Sequence, residues 1–213
     1  MDDMPDLDSL LHDGATVTYL GEEYVVSRRD AGTLVLPSGQ VVVKDPLTMR
    51  AEVIPLAVTA APGRYPVVSW VLQTLSRPRA YDVAYCAALQ LVVRDEPVVA
   101  WEPAVWCGDD PAAHANFYAV DRGIACFMDL VAARALGTWD EDKVDRVIVN
   151  RVLYDSADAC IVVQLIDPET EANVVISDCG GDGGYGVWIG HTVDGDLACF
   201  VTDFVVADSQ DGD

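Results

Sequence analysis

Four aspartates are the side chains in this sequence best suited to chemistry, because each stands close to a predicted turn or strand end. They are Asp121, Asp129, Asp182 and Asp203. If the fold brings Asp121, Asp129 and Asp182 to one point, they could bind a divalent cation such as Mg²⁺ or Ca²⁺ and activate water for hydrolysis. The alternative is that each carboxylate accepts backbone N–H groups within its own turn. We favour that alternative, because a sequence does not show clustering.

His191 follows the glycine that ends a predicted strand and is the candidate general base. It could meet Asp182 or Asp203 across the end of a sheet, or it could face solvent in a turn. A nucleophilic Cys179 paired with His191 is disfavoured. Its neighbours Asp178 and Asp182 carry the wrong charge to lower the pKa of a thiol.

Aromatic and acidic residues near the predicted loops are candidates for binding. The candidate binding residues are Tyr185, Trp188, Asp182, Asp109 and Asp110. Aromatic groups beside carboxylates can line a pocket or anchor an interface. Tyr185, which follows a glycine-rich loop, is expected to be exposed. His114, in the same acidic loop as Asp109, has the same two interpretations as His191.

The net charge of −22, with 35 acidic residues against 13 basic ones, limits the classes of partner. It argues against nucleic acid and anionic membranes, because phosphate groups are bound by clustered lysine and arginine. Residues 107–213 hold 21 acidic and 5 basic side chains, whereas residues 1–106 hold 14 and 8. A basic protein partner would therefore dock on the second half. A solvated acidic surface without a partner is the other interpretation, and the oligomeric state stays open.

Established motifs are absent or incomplete. The run GDGGYG at 181–186 has the letters of a dinucleotide loop, but an apolar strand follows it where that site needs a helix. No Walker lysine motif, nucleophile elbow, zinc-protease pair or calcium loop occurs. The six cysteines show no paired spacing, so we expect reduced core residues and no cofactor. The acidic first residues and the lack of a long apolar run predict a soluble, cytoplasmic protein.

The elements that must position these residues are mostly strands. The sequence predicts an α+β fold, mainly β, in which antiparallel sheets pack as a sandwich and a short helical pair at about 126–150 is inserted. One domain is expected over 14–206, after an acidic leader at 1–13 and before a disordered acidic tail at 207–213.

Turn chemistry predicts how several of these strands connect. The runs on either side of Pro37-Ser38-Gly39 are expected to form a hairpin. Gly137 is expected to end the first helix in a left-handed conformation, and Thr138 with Glu141 to cap the second. From 160 onward, four strands are expected to form a meander in one sheet, with the glycine-rich loop between its second and third strands.

Several segments together resemble an uncharacterised bacterial family, domain of unknown function 4241. The segments are LPSGQVVVKDPL at 36–47, GRYPV at 63–67, WEPAV at 101–105, YAVDRGIACFMD at 118–129, GGDGGYGVWIG at 180–190 and DGDLACFVTDF at 194–204. The resemblance spans about 32–206 and implies no particular reaction. It departs at Arg122, where the family has a small residue, and at Asp178-Cys179, where the family has Ser-Gly.

Two functions remain open from the sequence. The first is an acidic, non-enzymatic binding module, such as a toxin-neutralising or regulatory interaction protein. The charge asymmetry and the lack of a complete catalytic motif favour it. The second is a metal-dependent hydrolase that uses clustered aspartates, with a divalent cation as its cofactor.

Overall fold

Two antiparallel sheets stack face to face in the computed structural model, which describes residues 5–49, 53–75, 85–110, 116–152 and 161–205. Short helices cover parts of the two outer faces. The predicted α+β, mainly β fold is therefore confirmed. No helix within the described ranges is long and apolar enough to cross a membrane.

Twelve strands are present among the described residues. They are β1 (Thr16–Tyr19), β2 (Glu22–Leu36), β3 (Val41–Lys44), β4 (Gly63–Thr74), β5 (Tyr85–Val92), β6 (Ala100–Pro103), β7 (Phe117–Val120), β8 (Ile124–Asp129), β9 (Ile161–Asp167), β10 (Ala172–Asp178), β11 (Gly183–His191) and β12 (Leu197–Asp203). The α-helices are α1 (Leu7–Leu10), α2 (Leu130–Leu136) and α3 (Glu141–Val144), and α3 continues as a π-helical turn at Asp145–Val149. A 3₁₀ turn covers Pro46–Thr48.

The larger sheet has eight strands, and its path runs β1-β2-β4-β5-β12-β11-β6. Strand β11 pairs along one edge with two short strands: β6 lies opposite Trp188–His191 and β7 lies opposite Gly183–Gly186. The smaller sheet runs β3-β8-β10-β9. Strands β4 and β5 both lie in the interior of the larger sheet.

Apolar side chains form three layers, because successive residues of a strand point to opposite faces of its sheet. These layers hold the two sheets in place. Phe200 of β12 and Phe127 of β8 lie in the layer between the sheets. Val201, the residue after Phe200, lies on the outer face of the larger sheet. Helices α2 and α3 cover the outer face of the smaller sheet, where Leu136 and Ile148 are buried.

The predicted acidic leader contributes to this packing. Its residues 7–10 form α1, whose first turn is capped by Asp6 accepting the Ser9 N–H at 3.1 Å. Leu7 and Leu10 are buried against the outer face of the larger sheet. The packed region therefore begins before Gly14.

The predicted hairpin at residues 37–39 is wrong, because β2 and β3 belong to different sheets. The chain crosses from one sheet to the other at Pro37-Ser38-Gly39. Gly39 has φ +75°, and a Cβ there would lie 2.1 Å from the carbonyl oxygen of Ala60. Only glycine fits this crossing without displacing the neighbouring backbone.

The C-terminal meander is also divided between the sheets. Strands β9 and β10 belong to the smaller sheet, and β11 and β12 belong to the larger one. The glycine-rich loop, which we define as residues 179–182, is therefore a second crossing between the sheets. A pattern of strands and turns does not distinguish this connection from a hairpin within one sheet.

The helical pair differs from the prediction at its boundaries. Residues 126–129 belong to β8, and α2 begins at Leu130. Gly137 has φ −59°, so it does not take the left-handed conformation. A Cβ at Gly137 would lie 2.8 Å from the Met49 carbonyl oxygen, which explains the glycine. Asp140, not Thr138, caps α3 by accepting the Lys143 N–H at 2.8 Å.

Candidate functional site

Asp129 has a structural role at the crossing formed by residues 37–39. Its side chain is fully buried and accepts four hydrogen bonds. Oδ1 accepts the Val131 N–H and the Ser38 hydroxyl, both at 2.8 Å. Oδ2 accepts the N–H groups of Ser38 and Gly39 at 3.0 and 3.1 Å. This carboxylate links the crossing to the start of α2. Its role agrees with the alternative considered from the sequence, in which the aspartates accept backbone N–H groups.

Asp203, at the end of β12, is only 1% exposed. Its Oδ1 accepts the Val205 N–H at 2.8 Å, but Oδ2 has no hydrogen-bond partner in the described part of the chain. Burial raises the pKa of Asp203 to about 6, and the bond from Val205 opposes this rise. Asp203 is therefore not in an open turn, and only one of its two carboxylate oxygens is hydrogen-bonded.

His191 is separated from the candidate aspartates by most of strand β11. Gly186 pairs with Asp203, and His191 follows Gly186 by five residues. At about 3.4 Å per residue, this places the two positions about 17 Å apart along the strand. The His191 Nε2 instead lies 2.9 Å from Oε1 of Glu102 on β6. The alternative in which His191 meets Asp182 or Asp203 across the end of a sheet is therefore wrong.

Asp121 and Asp182 are the two candidate aspartates that the fold brings to adjacent turns. Val120 of β7 pairs with Gly183 of β11, so Asp121 and Asp182 both lie just beyond this last pair. Both are exposed. We call these two residues the acidic ridge. Among the residues with assigned positions, no group of three or more histidines, cysteines, aspartates or glutamates is placed to hold a metal ion.

Tyr185 holds the glycine-rich loop through hydrogen bonds from its hydroxyl group. Its hydroxyl donates to the Gly181 carbonyl at 2.7 Å and lies 3.3 Å from the Cys179 carbonyl. The ring packs edge-on against Phe204, with centroids 5.3 Å apart. Tyr185 is 4% exposed, so the expectation that it would be exposed is wrong.

We predict that Tyr185→Phe lowers the free energy of unfolding by about 1 kcal/mol, the usual contribution of one partly buried hydrogen bond. Urea denaturation followed by circular dichroism measures this change. Tyr65→Phe is the matched control, because that hydroxyl donates to the Ala61 carbonyl at the same 2.7 Å but at an exposed position. Equal losses in the two variants would contradict a role of Tyr185 in holding the loop.

A cleft of about 350 Å³ opens where the glycine-rich loop meets the β1–β2 hairpin and the start of β5. We call it the tyrosine cleft. Its lining residues are Tyr19, Leu20, Tyr24, Leu72, Tyr85, Cys86, Ala87, Cys179, Gly180, Gly181, Asp182, Gly183, Tyr185, Phe204 and Val205. None of them is basic. Tyr85 is 42% exposed, and Asp182 of the acidic ridge forms part of the wall.

The sequence did not identify Tyr19, Tyr24 or Tyr85 as site residues. Tyr19 and Tyr24 come from the β1–β2 hairpin, whereas Tyr85 comes from β5, which is distant in the chain, and no local pattern links the two segments. The two thiols in the cleft are unsuited to nucleophilic attack. Burial raises the pKa of Cys86 to about 11 and that of Cys179 to about 12, and the thiolate is the reactive form.

The remaining candidate binding residues lie elsewhere. Trp188 is 7% exposed on the outer face of the larger sheet. Asp109 and Asp110 are exposed in the loop between β6 and β7. That loop borders the middle of β11, where the Val187 N–H donates to the Asn116 carbonyl at 2.9 Å. It is therefore separate from the acidic ridge. His114 lies outside the described residues.

A protein-family model with the description "Protein of unknown function (DUF4241)" matches residues 34–202. The chain belongs to the DUF4241 family. The matched range runs from the end of β2 to β12, so this DUF4241 domain contains the smaller sheet and much of the larger one. No curated protein and no solved structure matches the chain. The resemblance predicted from the sequence is confirmed.

Arg122, where we expect this DUF4241 chain to depart from the family pattern, forms an ion pair. The Arg122 guanidinium donates to Asp145 Oδ1 at 2.9 Å, and both side chains are about half exposed. This ion pair links the β7–β8 turn to the helical segment after α3. Arg122 is thus directed away from the tyrosine cleft, which it does not line.

Proposed function

We propose that this DUF4241 chain is a non-catalytic binding module that accommodates a basic segment of a protein partner in the tyrosine cleft. The tyrosine cleft itself carries this proposal: a concave site walled by tyrosines, with Asp182 at its edge and no basic residue among its described lining residues. The chain's net charge of −22 is complementary to such a partner. A protein that neutralises a basic toxin, or that regulates a basic partner, would work in this way.

The tyrosine cleft can attract a lysine or arginine side chain through two interactions. A cation over a tyrosine ring gains about 0.5–2 kcal/mol, depending on how far it is desolvated. The acidic ridge adds a longer-range attraction, which speeds association and weakens as salt is added. Because Tyr85 is partly exposed, its ring is accessible to an incoming side chain.

The chemistry of the cleft favours binding over catalysis. Its thiols are protonated at neutral pH, as described above. Burial also raises the pKa of Tyr24 and of Tyr185, so these hydroxyls act as hydrogen-bond donors rather than bases. His191 is at the opposite end of β11. These features support a site that holds a ligand without changing it.

The test uses a lysine- and arginine-rich peptide as the probe, with a glutamate-rich peptide of equal length as control. We predict that Tyr85→Ala combined with Asp182→Asn raises the Kd of the basic peptide about tenfold, through loss of one cation–π contact and one rim charge. Fluorescence anisotropy at low and high salt measures both the affinity and its salt dependence.

Asp194→Asn is the matched control, because Asp194 is an exposed aspartate in the β11–β12 turn and its loss changes the net charge equally. This variant should bind the basic peptide almost as the wild type does. If Asp194→Asn weakens binding as much as the cleft variant, only the overall charge is recognised and the cleft is not the site. If the basic and acidic peptides bind alike, the proposed function is wrong.

A further inference from the structure

A second cavity, which shares only Val205 with the tyrosine cleft, contains the one buried carboxylate of the described chain whose oxygens are not both hydrogen-bonded. Three aspartates are buried: Asp45, Asp129 and Asp203. Asp45 accepts the Leu47 and Asp121 N–H groups on its two oxygens, at 2.8 and 2.9 Å. Asp129 accepts four hydrogen bonds, as described above. Asp203 accepts a single one, on Oδ1, and its Oδ2 has none.

A second unsatisfied group lies beside Asp203. The indole Nε1 of Trp188 is buried and also has no partner among the described residues. Trp188 and Gly186 face the same side of β11, and Gly186 pairs directly with Asp203. A Cβ on Gly186 would lie 3.0 Å from that Nε1. The indole and the carboxylate are therefore neighbours that do not bond to each other.

The cavity next to Asp203 has a volume of about 360 Å³. Helix α1 and strand β1 form its walls together with the end of β12. Its lining residues are Pro5, Asp6, Ser9, Leu10, Thr16, Val17, Thr18, Asp203 and Val205. Thr16 and Thr18 are exposed, so the cavity is accessible from the β1 side. We call it the Asp203 cavity.

The lining of the Asp203 cavity is acidic. Asp6 supplies a second carboxylate at its rim, and Ser9 of α1 supplies a hydroxyl oxygen that can accept a hydrogen bond. None of the lining residues is basic. A buried carboxylate without a cationic or hydrogen-bonding partner is costly, and a bound cation offsets that cost.

We propose that the Asp203 cavity binds a primary ammonium group beside the carboxylate of Asp203. An ammonium group is compact and has three N–H donors, which suit a carboxylate together with neighbouring hydroxyl or carbonyl oxygens. The apolar side chains of Leu10, Val17 and Val205 can contact the carbon chain that carries it. The ammonium can belong to a free alkylamine or to a lysine side chain of a peptide. The proposal does not depend on the tyrosine cleft.

The raised pKa of Asp203 is consistent with this site. Burial disfavours the ionised carboxylate, and a bound ammonium would favour it again. Of the described residues near this carboxylate, Asp6 lines the same cavity and the uncharged Trp188 lies on the paired strand β11. Neither of these two described residues supplies a positive charge, which a bound ligand would supply.

The test measures the thermal midpoint of the full chain in phosphate buffer, because Tris is itself a primary amine. The probes are n-butylamine as the free amine and a short lysine-containing peptide. The controls are n-butanol, which has no charge, and tetramethylammonium, which has no N–H donor. We expect a saturable rise of the midpoint with at least one of the two probes and no rise with the controls, because a ligand that binds the folded state stabilises it. The probe that acts identifies the source of the ammonium group.

Two variants keep the test decisive. Asp203→Asn should raise the Kd of the active probe by about tenfold or more, because the neutral amide removes the ionic partner. If that variant does not fold, Ser9→Phe serves instead, since Ser9 lines the cavity from α1 at a half-buried position and a larger side chain there should block it. Asp194→Asn should bind as the wild type does. An equal rise in the wild type and Asp203→Asn, or no saturable rise with either probe, would overturn the proposal and leave Asp203 as a purely structural group.

Discussion

Asp129→Ala is expected to lower the free energy of unfolding by about 4 kcal/mol or more, a large part of the stability of an ordinary domain. The substitution leaves three backbone N–H groups and one hydroxyl without their acceptor. These groups belong to Ser38, Gly39 and Val131; the bond from Gly39 is buried and the other three are partly buried. The variant also loses the N-cap of α2. Urea denaturation followed by circular dichroism measures the loss.

Asp140→Ala is the matched control for this prediction. Asp140 caps α3 with a single hydrogen bond from the Lys143 N–H, at an exposed position. Its replacement is expected to cost about 1 kcal/mol. If the two variants lose similar amounts, Asp129 contributes only as a helix cap. The crossing formed by residues 37–39 would then be held by other contacts.

Asp129 also shows how far the sequence could predict the structure. Its position at the end of an apolar run was visible, and so was the alternative that it accepts backbone N–H groups. Its partners Ser38 and Gly39 lie about ninety residues earlier in the chain, however. Only the stacking of the two sheets brings these segments together. Strand alternation predicts the strands but not the sheet to which each belongs.

The two crossings explain the main errors of connection. Pro37-Ser38-Gly39 has the residues of a tight turn, and so does the glycine-rich loop, because a change of sheet needs the same positive φ angles as a hairpin. The φ values of +75° at Gly39 and +87° at Gly180 fit either connection. Long-range packing decides between them, and local composition does not report it.

The candidate sites also depend on long-range packing that local sequence patterns do not report. The adjacent turns of Asp121 and Asp182 follow from the pairing of β7 with β11, which no short motif specifies. The burial of Asp203 follows from α1, a helix of four residues in a segment whose composition predicted an acidic leader. Leu7 and Leu10 were the available signal. Two leucines three residues apart do not by themselves distinguish a packed turn of helix from a solvated leader.

The second large effect is expected in the pH dependence of stability. Burial raises the pKa of Asp203 from 3.8 to about 6 in the folded protein. Between these two values the folded state binds more protons than the unfolded state, so this group makes stability fall as pH rises. The shift corresponds to about 3 kcal/mol, lost between about pH 4 and pH 7. Asp203→Asn does not titrate and should not show this loss.

The measurable quantity is the difference in free energy of unfolding between Asp203→Asn and the wild type across that pH range, in buffers without primary amines. It should change by about 3 kcal/mol in favour of the variant as pH rises. Carboxylates with a lowered pKa, such as Asp6 and Asp167, have the opposite pH dependence. They are present in both proteins and therefore largely cancel.

Asp194→Asn makes the same change in charge at an exposed turn, and its stability should follow the wild type in parallel at every pH. If the stability of Asp203→Asn also follows the wild type in parallel at every pH, the Asp203 carboxylate already has a partner in solution that compensates its charge. Addition of n-butylamine then tests whether an amine stabilises the ionised Asp203 carboxylate. An amine that fills the Asp203 cavity stabilises the ionised carboxylate, so it should reduce the wild-type loss at high pH and leave the Asp203→Asn curve unchanged.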